Sequence, residues 1–186
     1  MGTGSGRQAG ISLIEVLVTL VVLAVGLLGV MALQARLQQS EMETYQRSQA
    51  LLLLDDIAAR ITANRTAAAS YVTGTASPLG AGMTCPTNSS TQQQRDSAMW
   101  CAALQGASES TSSGLAGAMI GGRGCIEPLG SNQYLLTVAW QGSLPLAAPN
   151  ASVACGKDAF DGATGSQCSN DRCRRVVTTL VRVAPL

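Results

Sequence analysis

Residues 10–33 read GISLIEVLVTLVVLAVGLLGVMAL, an apolar run around which the rest of the chain is organised. Within residues 11–33 the single charged side chain is that of Glu15. At about 1.5 Å per residue, a helix of this length spans roughly 35 Å, enough to cross the ~30 Å hydrocarbon layer of a bilayer. The sequence therefore predicts a membrane-spanning helix with a carboxylate near its start.

Two ordinary explanations compete for this run. A secretory signal peptide also joins a basic head to an apolar stretch, but its apolar part is only about 7–15 residues long and ends at a small-residue cleavage site. This run is longer, has no such site at its end and carries Glu15 near its start. A plain signal anchor stays open, with Glu15 at headgroup level and without a function. Because a carboxylate at the bilayer centre costs roughly 2.5–3.5 kcal/mol, a functional explanation of Glu15 is favoured.

The start of the run has a more specific pattern. Gly10, the apolar Ile11 and the sequence SLIEVLV over residues 12–18 resemble the class III signal of type IV prepilins and type II secretion pseudopilins. The resemblance implies that a prepilin peptidase cuts after Gly10 and methylates the new amine of Ile11. Glu15 is then the fifth residue of the mature chain. Its carboxylate would neutralise the amine of a neighbouring subunit where an unpaired charge is costly, so we expect Glu15 to set subunit register.

Composition narrows the function of the remaining chain. The 186 residues carry a net charge of +1 and only 3% aromatic residues, so no nucleic-acid partner is expected. Histidine is absent, which removes the usual triads, histidine-based zinc sites and the commonest general base. Lys157 is the only lysine. The sequence therefore predicts a protein that is not an enzyme, with no catalytic residues, no metal and no cofactor.

The cysteines all follow the apolar run, and their even number indicates disulfides in an oxidising compartment. Six cysteines allow fifteen pairings, and the sequence does not choose among them. A short loop between Cys168 and Cys173, a link from Cys125 to a later cysteine, and a clasp between Cys85 and Cys101 are the local options. Zinc stays a weaker alternative because no C-x-x-C is present. The candidate disulfide residues are Cys85, Cys101, Cys125, Cys155, Cys168 and Cys173.

Acidic and glycine residues between the last cysteines admit a calcium alternative. Asp158, Asp161 and Gly162 place hard oxygen ligands on a permissive loop, which suits this ion. The spacing does not match an EF-hand, and the same residues are common in turns. Both interpretations stay open at this point.

The helical pattern continues beyond the apolar run, because residues 34–64 contain neither Gly nor Pro and are rich in good helix formers. We expect one helix from residue 11 to about residue 64. Charge pairs are expected between Glu43 and Arg47 and between Asp56 and Arg60. The predicted apolar face, read at steps of three and four residues, consists of Met42, Tyr45, Gln49, Leu53, Ile57 and Ile61.

Strand patterns come late in the chain. Residues 134–140 and 176–183 are rich in β-formers, and residues 124–127 predict a third, shorter strand. Residues 66–122 are mostly loop by composition, with one short helix at residues 96–104 around Trp100. The predicted fold class is α+β: a long N-terminal helix packed on a small antiparallel sheet, with disulfide-held loops.

Further segments narrow the resemblance. Residues 47–65, with Arg47-Ser48-Gln49 at one end and Asn64-Arg65 at the other, resemble the minor pilins of type IV pili, as do residues 121–125, 136–140 and 174–180. The resemblance implies a type IV pilin-like fold and a role in pilus assembly, priming or tip structure. The implied partners are the prepilin peptidase, other minor pilins and the major pilin. A type II secretion pseudopilin and a pilus-tip adhesin or binding module are the alternatives.

The same interpretation gives the domain organisation. We expect a leader at 1–10, a transmembrane or filament-core half of the helix at 11–33, an amphipathic half at 34–65 and a periplasmic globular head at 66–186. Arg7 precedes the span and Arg36 is the first basic residue after it, which weakly favours a cytoplasmic N-terminus. The expected location is the inner membrane as a single-pass protein with a periplasmic head, and then the pilus filament or tip.

Overall fold

A computed structural model describes residues 12–107, 110–111, 114–115 and 119–184. The chain divides into two compact units, Met1–Glu41 and Met42–Leu186, and each is described by itself. Helix α1, Leu13–Ala63, belongs to both of them. The predicted uninterrupted helix is therefore confirmed, and it ends one residue before Asn64, whose N–H donates to the carbonyl of Arg60 at 3.0 Å.

We call the second unit, Met42–Leu186, the head; in it the second half of α1 is followed by a 3-10 helix, Arg65–Tyr71. Helix α2, Gln92–Leu104, starts with a capping box in which Thr91 and Gln94 satisfy each other's backbone N–H groups. The strands are β1 (Leu79–Gly80), β2 (Ser110–Thr111), β3 (Gly114–Leu115), β4 (Ile120–Gly130), β5 (Gln133–Gln141) and β6 (Arg174–Arg182).

Strands β1, β4, β5 and β6 form one antiparallel sheet in that order, and β2 pairs with β3 in a separate hairpin. Ser131 and Asn132 have φ values of 50° and 57° and join β4 to β5 by a tight turn, which places Glu127 opposite Leu135. Strands β5 and β6 pair over nine positions, from Gln133 opposite Arg182 to Gln141 opposite Arg174. The predicted α+β fold with a small antiparallel sheet is confirmed.

The inner face of the sheet carries the main core. Leu136, Val138 and Trp140 alternate along β5 and are buried against the second half of α1. Trp100 of α2 is fully buried, and its Nε1 donates to the carbonyl of Leu53 at 2.9 Å, so α2 and α1 are joined by a hydrogen bond as well as by packing. On the outer face, a second cluster joins the sheet to a later loop and contains Cys125, Ala139, Cys155 and Phe160.

The predicted apolar face of α1 is confirmed at Ile57 and Ile61 but is displaced by one residue over its earlier part. The buried positions are Gln46, Ala50, Leu54, Ile57 and Ile61. Met42 and Tyr45 are exposed, and Leu53 is only partly buried. The four leucines at 51–54 place an apolar side chain on every face of the helix, so the spacing of apolar residues could not select Leu54 over its neighbours.

The strand predicted at 124–127 is confirmed as part of β4, but the predicted bounds were too short, because β4 covers eleven residues. Its sequence, IGGRGCIEPLG, has low β-propensity, and packing with α2 explains two of its four glycines. A Cβ atom on Gly124 would overlap the Trp100 ring and Leu104, and one on Gly122 would crowd the carbonyl oxygen of Leu104. Residues 66–122 likewise hold more structure than predicted, since α2 begins at Gln92 and a 3-10 helix precedes it.

Candidate functional site

Glu15 lies in the first turn of α1, with its side chain exposed. Its backbone N–H donates to the carbonyl of Ser12 at 3.0 Å, which starts the helical hydrogen-bond pattern. A carboxylate at this position is favoured by the positive end of the helix dipole. Among the residues that the structure describes, Glu15 has no ion-pair partner. Gly10 and Ile11, the predicted cleavage and methylation residues, lie outside the described part of the chain.

The apolar surface around Glu15 is uncovered. In an 18-residue window of α1 the mean hydropathy is 2.9 and none of the residues is buried. Leu13 is 80% exposed, and Leu17, Leu20 and Leu28 are each more than half exposed. By length and composition this is the one helix of the described chain that could cross a membrane. Such a surface requires lipid or protein around it, because water contact with so many aliphatic side chains is costly.

In the head, Asp96 is the centre of a buried polar network that joins three elements. The Tyr71 hydroxyl donates to its Oδ2 at 2.5 Å, and Nη1 of Arg60 donates to its Oδ1 at 2.8 Å. Gln92 donates to the same Oδ1 from one turn earlier in α2. Burial raises the pKa of Asp96, but the hydrogen bonds from Tyr71, Arg60 and Gln92 outweigh it, so that the pKa lies below its usual value. The network ties the 3-10 helix and α2 to the end of α1.

The same contacts act on the tyrosine. Burial, followed by the hydrogen bond to Asp96, raises the pKa of Tyr71 to about 12. The phenol therefore stays neutral at any physiological pH, and its hydroxyl remains a hydrogen-bond donor to Asp96. Asn64 donates to the phenol oxygen at 3.1 Å, so both hydrogen-bonding functions of the hydroxyl group are used. These hydrogen bonds hold the 3-10 helix, α2 and the end of α1 together, and the Tyr71 hydroxyl is not available as a nucleophile or base.

Two predicted charge pairs have different outcomes. The pair of Asp56 and Arg60 is confirmed, with Nε of Arg60 2.9 Å from Oδ2 of Asp56. Glu43 does not pair with Arg47; its Oε1 lies 2.6 Å from Nε of Arg175 on β6. A contact between residues so far apart in sequence has no local signature, whereas the i,i+4 pairing with Arg47 has one. The ion pair joins α1 to the edge of the sheet.

All six cysteines are paired in the head. Cys85 is bonded to Cys101, Cys125 to Cys155 and Cys168 to Cys173. The second bond fastens the loop after residue 146 to the outer face of the sheet. Arg174 reinforces that attachment, because its Nη1 donates to the carbonyls of Val153 and Cys155 at 2.6 and 3.1 Å.

The acidic residues of this loop are used by the loop itself. Asp161 accepts hydrogen bonds from the N–H groups of Asn170 and Asp171, at 3.1 and 2.8 Å. Asp171 accepts from the N–H of Asp158 and forms an ion pair with Arg174 at 3.0 Å. No group of three or more metal-ligating side chains occurs among the described residues. The arrangement matches the turn interpretation of these residues better than the calcium interpretation.

Comparison with known proteins defines the class of the N-terminal segment. A family model described as the prokaryotic N-terminal methylation motif matches residues 5–31. No curated protein and no solved structure matches the chain. The motif, the apolar helix and the sheet with three disulfides together support a type IV pilin-like protein, which a prepilin peptidase processes and which assembles with other pilins. Proteins with this motif are structural, and the apolar helix fits membrane anchoring.

Proposed function

We propose that this chain is a minor pilin that takes part in type IV pilus assembly, priming or tip structure, and that it resembles in particular the type IV pilus modification protein PilV. The N-terminal methylation motif, placed on an uncovered apolar helix with Glu15 in its first turn, carries the proposal. The PilV resemblance rests on the sequence of residues 47–65 and of the segments at 121–125, 136–140 and 174–180. These segments lie in α1 and the 3-10 helix after it and in β4, β5 and β6.

In this proposal the chain carries out no catalysis. Residues 1–10 are a leader, 11–33 anchor the protein in the inner membrane and then in the filament core, 34–65 form the amphipathic half of the helix, and 66–186 form a periplasmic head. The amine of Ile11 pairs with the carboxylate of Glu15 on a neighbouring subunit. Because each charge would otherwise be unpaired in an apolar medium, the pair fixes the axial position of one helix against the next.

Processing is tested by intact-mass analysis and N-terminal sequencing of the membrane-extracted protein, from cells with and without prepilin peptidase. We expect a chain that starts at N-methylated Ile11 when the peptidase is present and one that retains residues 1–10 when it is absent. A chain with the same N-terminus in both strains would contradict the proposal. Recovery of the processed chain in sheared pili, compared with a type II secretion pseudopilus fraction, then identifies the system.

The role of Glu15 is tested by Glu15→Leu, which retains the apolar helix and removes the carboxylate. We expect normal membrane insertion and processing, but an amount in sheared filaments at least about tenfold lower, because an unpaired buried amine costs several kcal/mol. Glu41→Leu is the matched control, since Glu41 is an exposed carboxylate on the same helix. Wild-type amounts of Glu15→Leu in filaments would show that Glu15 does not set register.

A further inference from the structure

Strand β6 is the last strand of the sheet and pairs on one side only. Its neighbour is β5, with nine consecutive residue pairs and no register shift. On the side of β6 away from β5, the chain at the beginning of the strand already has partners. The N–H of Leu146 donates to the carbonyl of Arg172, and the side chain of Arg175 donates to the carbonyl of Leu144. Over residues 176–182, which we call the free edge, no described residue outside β5 forms a hydrogen bond with the backbone.

The free edge lacks the features by which proteins protect sheet edges. Its sequence, VVTTLVR, contains no Pro, no Gly and no Lys, and charge occurs only at Arg182. Protected edges are short, bulged or interrupted by such residues, because a regular edge presents unpaired N–H and C=O groups to any extended chain. Thr178 is exposed and Leu180 is 55% exposed, so the outer side of the edge is open as well.

Two hollows lie between the free edge and α1, one at each end. The first, of about 240 Å³, is lined by Glu43 and Arg47 of α1 and by Arg175 and Val177 of β6, among others. The second, of about 390 Å³, is lined by Thr62, Arg65 and Arg182, among others. An added strand would extend the sheet over α1, and its inward side chains would point toward these spaces.

The charged residues that line the two hollows indicate which side chains of an added strand they would bind. The first contains two arginines and one carboxylate, and Glu43 is already paired with Arg175. The second has Arg65 and Arg182 among its lining residues, and neither forms an ion pair with a described residue. Both ends of the edge are therefore positive, and acidic side chains on an added strand would complement them.

A second copy of this chain fits the edge poorly. Antiparallel pairing of two free edges about Thr179 places Arg182 of each copy opposite Val176 of the other and offers no carboxylate to either arginine, and parallel pairing places the Arg182 residues side by side. Like charges that face each other across a strand pair are destabilising. The occupant indicated by the edge is thus a different polypeptide.

We propose that residues 176–182 accept an extended, acidic segment of a partner protein as an additional strand of the sheet. Backbone hydrogen bonds supply affinity in this mode of recognition, and the side chains that enter the hollows supply specificity. The inference rests on the head alone and does not depend on the proposed function.

The test uses the full chain in detergent micelles and three dye-labelled peptides of alternating Thr and Val. The first has Glu near each end, the second has Lys in place of Glu, and the third is the acidic peptide with N-methyl groups on its central residues. We expect the acidic peptide to bind at least about tenfold more tightly than either of the others, because each loses hydrogen bonds or charge pairing. Hydrogen exchange should show added protection of those amides of residues 176–182 that are not already hydrogen-bonded to β5.

Arg65→Gln with Arg182→Gln should weaken binding of the acidic peptide by about tenfold, because two charge-assisted contacts are lost. Arg95→Gln is the matched control, an exposed arginine on α2. Equal binding of the acidic and N-methylated peptides, no binding of the acidic peptide, or protection elsewhere in the head would overturn the proposal. Self-association of the full chain through β6, detected by exchange protection that depends on its concentration, would do so in favour of a second copy.

Discussion

Asp96→Ala is expected to lower the free energy of unfolding of the head by about 3 kcal/mol. The substitution removes one partner of a buried ion pair, a change that commonly costs about 3–5 kcal/mol, and it leaves the hydroxyl of Tyr71 without an acceptor. The lower end applies because Arg60 is 28% exposed and retains its pair with Asp56. Urea unfolding of the full chain in detergent measures the change through tryptophan fluorescence, since both tryptophans are buried in the head.

The matched control is Asp55→Ala, which removes an exposed carboxylate of α1. Its effect should lie within about 0.5 kcal/mol, as for most surface substitutions. An equal loss in both variants would show that helix charge, and not the network around Asp96, explains the result.

The pH dependence of this loss has a definite sign. The pKa of Asp96 is lower in the folded head than the 3.8 of an ordinary aspartate, so the network stabilises the folded state fully above that value. As the pH falls through the lower, folded-state pKa, this stabilisation is lost. The difference between wild type and Asp96→Ala should therefore be constant at neutral pH and become smaller below about pH 4. A difference that does not change with acidification would contradict the ion-pair explanation.

Loss of the Cys125–Cys155 disulfide is expected to have an effect of similar size. The bond closes a segment with a sequence separation of 30, and the chain-entropy model gives roughly 3.5 kcal/mol for a loop of this length. Cys125→Ala combined with Cys155→Ala should lower the free energy of unfolding by about that amount in the fluorescence assay. Both sulfurs are buried beneath Phe160, so detachment of the loop would also expose this side chain.

The matched control is Cys168→Ala combined with Cys173→Ala. That bond has a sequence separation of only 5, for which the same model gives roughly 2 kcal/mol. The order of the two effects is the decisive result. A larger loss from the short loop would show that constraint of the unfolded chain does not explain the stabilisation.

The sequence predicted those parts of the fold that depend on local pattern. The continuation of the helix beyond the apolar run follows from residues 34–63, which lack Gly and Pro, and strands β5 and β6 follow from β-branched and aromatic residues between turns. The full length of strand β4 could not be predicted, because its outer residues depend on pairing with β5 and close packing with Trp100, and its own composition is unfavourable.

For the candidate site, the N-terminal pattern identified Glu15 from the residues next to it in sequence, and its role in subunit register stays a prediction. The network around Asp96 was missed because its members, at positions 60, 71, 92 and 96, come from three different elements. The ion pair of Glu43 with Arg175 was missed for the same reason. Nothing in a local window predicts contacts that arise only when the head folds.

The separation of the two apolar clusters by the sheet has a consequence for how this chain tolerates substitution. The inner cluster includes Leu54 and Ile57 of α1, whereas the outer one is closed by Phe160 and the Cys125–Cys155 bond. Substitutions at sites without shared neighbours have additive effects on stability. Residues 156–172 can therefore change in length and chemistry while the helix keeps its packing.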